Sequence, residues 1–410
     1  MQANTVHRRS LWFLWGGQCI AIAAMEMSGP FWPLFLRDQV GLQGELLLLW
    51  SAALIAAPMI TAFATAAFWG RIGDRYGHKW MVLRALLGLA LTQWLIAQQD
   101  LILMILCLRL LQGALAGVIA AAMAYGLHLC TENTRSRTLG YLQSATAAGT
   151  LLGPVVGGLV SDLWDYSQIF QFAAAACIAV ALVMLVALTD DRKQINSITH
   201  PNEAAAPHWQ HGKVIVQGLL LALVICQVAR MMPQSFFALY VEDSLAVSNM
   251  LIGVLYGASG LAMLVAAPLW GRRLDGQRND TVLLQASALA LFSALLMLLH
   301  SLEQNLWSLL VLRFAWGICL AATMPTLFGL LSRLRATSGR SVGPGQAAVK
   351  LGNFSGYLLG GLVAALYNST LAFGAVALTY LLLALWLWWL RKLILSQYPN
   401  EKETGHATPV

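Results

Sequence analysis

The sequence predicts an all-α polytopic membrane protein, with twelve transmembrane helices in two six-helix repeats of the same orientation. Three observations lead there. Of the 410 residues, 59% are apolar and only 10% charged, and the mean hydropathy is +0.67; an ordinary soluble domain is about one-quarter charged. The apolar residues gather in runs long enough to cross ~30 Å of hydrocarbon. Short patterns of the first half return in the second at a nearly constant offset.

The runs have approximate edges 11–36, 46–69, 80–97, 101–129, 138–161, 168–189, 214–240, 248–270, 281–300, 305–331, 342–366 and 371–390. They are nearly continuous and lack the alternation of a membrane β-barrel strand. The N-terminus imitates a signal peptide, with His7, Arg8 and Arg9 ahead of an apolar stretch containing Ala21-Ile22-Ala23. That stretch continues to Leu36, too far for a cleaved leader, and is read as the first span. Residues 190–212 form the one long polar interior stretch and hold Pro201, Pro207 and three histidines. The predicted organisation is a six-helix bundle over 1–189, a cytoplasmic linker over 190–212, a second bundle over 213–392 and a cytoplasmic tail over 393–410. The six cysteines are scattered through or beside apolar runs without a Cys-x-x-Cys, so they read as small hydrophobes with no metal or redox role.

Charge sets the orientation. With the N-terminus inside, the cytoplasmic segments hold nineteen Lys and Arg and the outer loops hold one, Arg37, beside eight acids. Such a bias places both termini in the cytoplasm, and the expected location is a bacterial-type inner membrane. The net charge of +7 follows from topology, and no nucleic-acid partner is expected.

The repeat is specific. Trp69-Gly70-Arg71 and Asp74 return 201 residues later as Trp270-Gly271-Arg272 and Asp275. Arg109 and Gly113 return at 204 as Arg313 and Gly317. Gly149, Gly153, Gly157 and Gly158 return at 203 as Gly352, Gly356, Gly360 and Gly361. Parallel repeats of this kind place a substrate site at their interface near the bilayer midplane and move by rocking.

Each motif carries local chemistry. Gly73 and Gly77 predict tight turns, with Asp74 among Arg71, Arg75 and Lys79 on the inner face. A network there latches one state and releases another; the plainer reading is anchoring by solvated charges. The second copy has Gly276 in place of Arg75, so its latch is expected to be weaker. Gly149, Gly153 and Gly157 lie on one helical stripe that admits a close neighbour, and Pro154 predicts a kink. Pro30 and Pro33, with Gly29, predict a bend at the outer end of the first span.

Charge inside hydrocarbon is costly and usually functional. Glu26 is the one acid within a span, and Arg84, Arg109, Arg230, Arg313 and Lys350 are the cations. Arg84 is expected to snorkel to the inner surface. Glu26 is the candidate proton carrier, because a carboxyl whose surroundings alternate binds its proton on one side and releases it on the other; a static ion pair with Arg109 or Arg230 is the alternative. Three helical groupings predict polar faces on a wet cavity: Gln227, Arg230 and Gln234; Lys350, Asn353 and Tyr357; Arg109 and Gln112. Arg313 is read equally as a structural echo of Arg109 or as a second substrate contact. Four cations against one acid suit an anionic substrate and repel a lipophilic cation. Phe31, Trp32, Phe236, Phe237 and Tyr240 offer apolar contact.

These residues resemble a known family. Gly70-Arg-Ile-Gly-Asp-Arg-Tyr-Gly-His-Lys79 is similar to the loop 2–3 signature of the major facilitator superfamily, with Gly70, Asp74, Arg75, Gly77 and Lys79 in register and His78 in place of the usual Arg. Arg109-Leu-Leu-Gln112-Gly113 resembles its fourth-span motif. Gly149 through Gly158 resembles the fifth-span signature associated with antiporters. The resemblance covers nearly all of residues 10–392 and points to the twelve-helix drug:proton antiporters. It implies a cavity bordered by the first, fourth, seventh and tenth spans, and a part for Arg109 in proton coupling. The opening stretch from His7 to Gln18, with Glu26, looks like the branch that exports citrate-type siderophores.

The expectation is therefore a proton-driven exporter of a small anionic molecule, monomeric, with no cofactor and no bound metal and the proton gradient as its energy source. A multidrug pump for lipophilic compounds and a proton symporter importing an organic anion are the close alternatives. A membrane-embedded enzyme is the distant one, since no His-Glu-x-x-His, Gly-x-Ser-x-Gly or Walker A run is present.

Overall fold

A computed structural model describes residues 2–128, 135–189, 213–274, 277–333 and 342–397. The sequence's linker at 190–212 and most of its tail lie outside them. Among the described residues eleven helices are long and apolar enough to span a membrane, or twelve with one bent pair. That pair is the first span: Gln2–Met27 and Trp32–Asp38, bent by 45° where Gly29 and Pro30 interrupt the helix.

The other spans follow the predicted runs closely. Gly44–Tyr76 is the second, His78–Ile96 the third, Arg135–Leu163 the fifth and Tyr166–Ala187 the sixth. In the second half Asn249–Leu274, Asn279–Leu302, Leu306–Arg333, Val342–Leu366 and Ser369–Gln397 are the eighth to twelfth. Two spans are broken where the sequence showed only continuous runs. The fourth consists of Ile102–Leu115 and Val118–His128, parted at Gly117 with φ +124°, a backbone that L side chains rarely adopt. The seventh is Lys213–Met231, then a 3-10 turn Met232–Ser235, then Phe237–Leu245. Pro233 cannot donate to the helical ladder there.

The exterior is apolar, as lipid requires. Val186 is 87% exposed, Phe63 67% and Leu302 75%; in water, surface of this kind would aggregate. The described residues divide into two compact units. One gathers the first six spans with residues 234–260 and 364–366; the other holds the remainder. In the first, Leu14, Val82, Leu86, Ala122, Tyr125, Leu142 and Met184 join five spans in one core. In the second, Trp316 donates to the Tyr380 hydroxyl at 3.0 Å and Trp386 donates to the Gly218 carbonyl at 2.9 Å.

The glycine stripes explain how each unit packs. A Cβ on Gly149 would strike the Cys19 carbonyl and Ile22, one on Gly153 the Ala23 carbonyl and the Glu26 side chain, and one on Gly157 the Met27 carbonyl. In the second unit, Gly352 faces Val224 and Gln227, Gly356 faces Val228 and Met231, and Gly360 faces Met232. Spans 5 and 11 thus press backbone to backbone on spans 1 and 7 in the same register, the packing small residues permit in lipid.

Candidate functional site

In the first unit, Glu26 lies one turn before the bend of span 1. It packs over Gly153, and a side chain at Gly29 would crowd its carboxylate. The glycine stripe of span 5 therefore forms the wall behind Glu26. Arg109 and Gln112 share a face of span 4 and hydrogen-bond to each other. The Arg109 Nε donates to the Leu54 carbonyl at 2.8 Å, and its guanidinium lies 4.6 Å from the Trp32 ring. One cation thereby ties spans 1, 2 and 4 together.

In the second unit, Gln227 donates to Asn353 at 2.6 Å, joining spans 7 and 11. Half-buried Arg230 reaches Met263 on span 8, with Nη2 3.7 Å from Sδ. Lys350, Asn353 and Tyr357 lie on one unbroken helix; Lys350 is exposed and Tyr357 half-buried. The structure thus joins Gln227 to Asn353 and leaves Lys350 open on the same helix.

Several expectations need correction. Gln234 does not continue the Gln227–Arg230 stripe, because the α-helix ends at Met231 and the chain winds as 3-10 through residue 235. Arg313 is only 1% exposed and packs 5.2 Å from the Trp316 ring; this favours the structural echo of Arg109 over a substrate contact. Phe31, Trp32, Phe236, Phe237 and Tyr240 are all buried, so they pack the fold. Arg84 does not snorkel. Its Nη2 donates to the Ala116 carbonyl at 3.1 Å and its guanidinium stacks 3.6 Å from the Trp69 ring, bracing the break in span 4.

The inner loop also differs from its expected form. Gly73 lies inside the helix of span 2, and the turn is made by Gly77 alone, at φ +100°. Asp74 approaches His78 at 3.7 Å, with its side chain 62% exposed. Arg71 donates to the Ala67 carbonyl of its own helix, and Arg75 lies over Tyr76. Lys79 donates to the carbonyls of Leu185 and Leu188 at 2.8 and 2.6 Å, closing the C-terminal end of span 6, where a cation is favoured. The basic residues around Asp74 are thus engaged locally, and Gly70 has open space beside it. Asp275, its repeat partner, lies outside the described residues.

The sequence reading missed the opposite end of the first unit, which it expects to face outward. Arg37 grips both Glu242 oxygens at 2.6 and 2.7 Å and lies 3.7 Å from Asp243 and 3.2 Å from Asp38. Asp162 accepts from the backbone N–H groups of Asn249 and Met250, both at 2.8 Å, placing a carboxylate on the N-terminus of span 8. Tyr166 donates to the Asn249 side chain at 3.0 Å. Gly158 abuts the Asn249 carbonyl, and Gly253 abuts that of Pro154. One signal was available: Arg37 is the single outer cation among eight acids. Among the described residues no group of three or more His, Cys, Asp or Glu is arranged to hold a metal.

Two six-span repeats of membrane-crossing helices with glycine-lined contacts are the architecture of a secondary transporter. The chain matches the Major Facilitator Superfamily over residues 14–216 and 219–409, and it belongs to that family. It is 30% identical over 370 residues to the multidrug resistance protein MdtG of Proteus mirabilis, covering 89% of this chain and 91% of that one. It is 28% identical to the staphyloferrin B transporter of Staphylococcus aureus, covering 88% and 87%. Its fold resembles that of a bacterial homologue of the human lysosomal transporter Spinster, with a TM-score of 0.74 at 11% identity over 99% of both chains. The protein is a multi-pass membrane transporter of small molecules.

Proposed function

We propose that this transporter is a proton-coupled antiporter that exports a small anionic molecule across a bacterial-type inner membrane, with both termini in the cytoplasm. It acts as a monomer and carries no enzymatic activity and no cofactor. The observation that carries the substrate class is the polar face of the second unit. Spans 7 and 11 present Arg230 and Lys350 beside the Gln227–Asn353 pair, and neither the helix Lys213–Met231 nor the helix Val342–Leu366 contains an acid. An anion is attracted to such a face, and a cation is repelled. The staphyloferrin B transporter supports a metabolite cargo by its name.

Glu26 is the proton carrier. It is an acid well inside the first helix, packed on the glycine stripe at Gly153 beside the bend of span 1. The clasp of Arg37 with Glu242 and of Asp162 with the start of span 8 holds the outer face shut and breaks once per cycle. Arg109 positions spans 1, 2 and 4 around that movement.

The test is transport in everted membrane vesicles energised by a pH gradient. Glu26→Gln is expected to abolish gradient-driven accumulation while leaving the protein folded and able to exchange substrate. Full coupled transport by Glu26→Gln overturns the carrier assignment. Lys350→Ala is expected to reduce transport of anionic substrates about tenfold more than that of cationic dyes, a difference of roughly 1.4 kcal/mol; equal losses overturn the charge argument. The second reading, a multidrug pump, rests on the 30% identity to MdtG and predicts that equal loss.

A further inference from the structure

The two halves differ at one equivalent joint. In the first, Thr61 donates to the Leu110 carbonyl at 2.6 Å, while Thr65 and Trp69 donate to the Ala114 carbonyl at 3.2 and 2.7 Å. Gly113 has no room for a side chain against the Pro58 carbonyl. Spans 2 and 4 are therefore sewn together. At the repeat offsets, the threonines become Ala262 and Ala266, and Leu110 and Ala114 become Phe314 and Ile318. No hydroxyl remains to bridge the helices, and larger side chains stand in the joint. A crevice of about 290 Å³ opens between spans 8 and 10, lined almost wholly by apolar atoms.

The crevice has a charged foot. Exposed Arg273 borders it one turn beyond Trp270, with its guanidinium 5.6 Å from the Trp270 ring. The first half has Ile72 at this position. From Ala262 to Arg273 the helix advances about 16 Å at ~1.5 Å per residue, the length of an extended acyl chain. Leu269, 62% exposed, and Val265, 57% exposed, present the lining outward. Span 8 enters from the outer clasp at Asn249, so in the orientation proposed above Arg273 stands at the cytoplasmic headgroup level.

We propose that the crevice between spans 8 and 10 binds one anionic glycerophospholipid of the inner leaflet, with an acyl chain along Ala262, Ala266 and Phe314 and the phosphate on Arg273. Charge complementarity selects the occupant: a basic group at the cytoplasmic end of a cleft between helices recruits anionic headgroups. The lipid fills the space that the lost threonine contacts leave and wedges spans 8 and 10 in the half whose joint is open. The assignment of the inner leaflet rests on the proposed orientation; the binding itself does not.

The full chain, purified in mild detergent and stripped of lipid, is titrated with phosphatidylglycerol or phosphatidylcholine of identical chains and examined by native mass spectrometry. The wild type is expected to retain one phosphatidylglycerol more tightly than phosphatidylcholine. Arg273→Gln weakens the phosphatidylglycerol complex about fivefold, the effect of one basic residue near a headgroup, and leaves phosphatidylcholine unchanged. Ala266→Trp fills the crevice and weakens both. Arg278→Gln, whose side chain already pairs with Asp280 at 3.1 Å, changes neither. Equal retention of the two lipids by the wild type, or phosphatidylglycerol binding unaffected by Arg273→Gln, overturns the proposal. If Ala266→Trp fails to fold, the surface variant Arg273→Gln decides alone. None of these measurements reads transport, so failure here leaves the antiporter reading standing, and failure of that reading leaves this one.

Discussion

The two ends of the first unit use charge in opposite ways. At one end, Arg37 and Glu242 form a two-oxygen ion pair with side chains 29% and 27% exposed, and Asp162 holds two backbone donors of another helix. At the Gly77 end, Asp74 is 62% exposed and meets an i+4 histidine at 3.7 Å, while Lys79 caps a neighbouring helix. The family-like motif lies at the Gly77 end, yet the two-oxygen ion pair and the helix cap lie at the opposite end, on helix ends without a recognisable motif.

The comparison breaks most visibly at Arg37. Arg37→Glu places a fourth acid among Asp38, Glu242 and Asp243, and is expected to abolish substrate exchange or lock the outer face open, read as increased labelling of a cysteine introduced beside Asn249. The double variant Arg37→Glu with Glu242→Arg restores the pair and should recover most of that loss. The coupling in such a cycle is expected at about 1–2 kcal/mol, above the ~0.2–1 kcal/mol of exposed pairs. No recovery in the swap would show that Arg37 acts through packing alone.

A smaller effect is expected at Asp162. Asp162→Ala removes the cap of span 8 and should lower stability of the closed outer face by about 1 kcal/mol, the usual value of an N-cap, again read by labelling; Asp162→Asn retains one acceptor and should lose less. The smallest effect is on the inner face. His78→Arg makes the partner of Asp74 permanently charged and, as an i,i+4 pair, should contribute only about 0.3–0.5 kcal/mol. Its readout is the maximum rate of transport, which should change little. An effect as large as that of Arg37→Glu would show that the inner loop is the dominant latch.

Much of the architecture was legible in the sequence because hydrocarbon thickness and helical rise leave few choices. The twelve spans, the bend at Gly29–Pro30 and the two glycine stripes all appear where the pattern placed them, since each depends on residues within one helix or on a simple steric need. The breaks at Gly117 and Met232 were not legible, because both lie inside continuous apolar runs. Arg84 was misread for a related reason: snorkelling depends on whether an inward partner exists, and Trp69 and the freed Ala116 carbonyl provide one.

The sequence alone determined that this chain crosses a membrane, how often, in which repeat and where its rare charges lie, because burying the peptide backbone in lipid admits only helices of fixed length. The tertiary structure decided which charges meet. Arg37 and Glu242 are 205 residues apart, and Asp162 and Asn249 are 87 apart; no local rule connects them. It also decided that equivalent joints differ, closed by threonines between spans 2 and 4 and open between spans 8 and 10, because a repeat conserves the path of the backbone while each contact depends on the side chains that fill it.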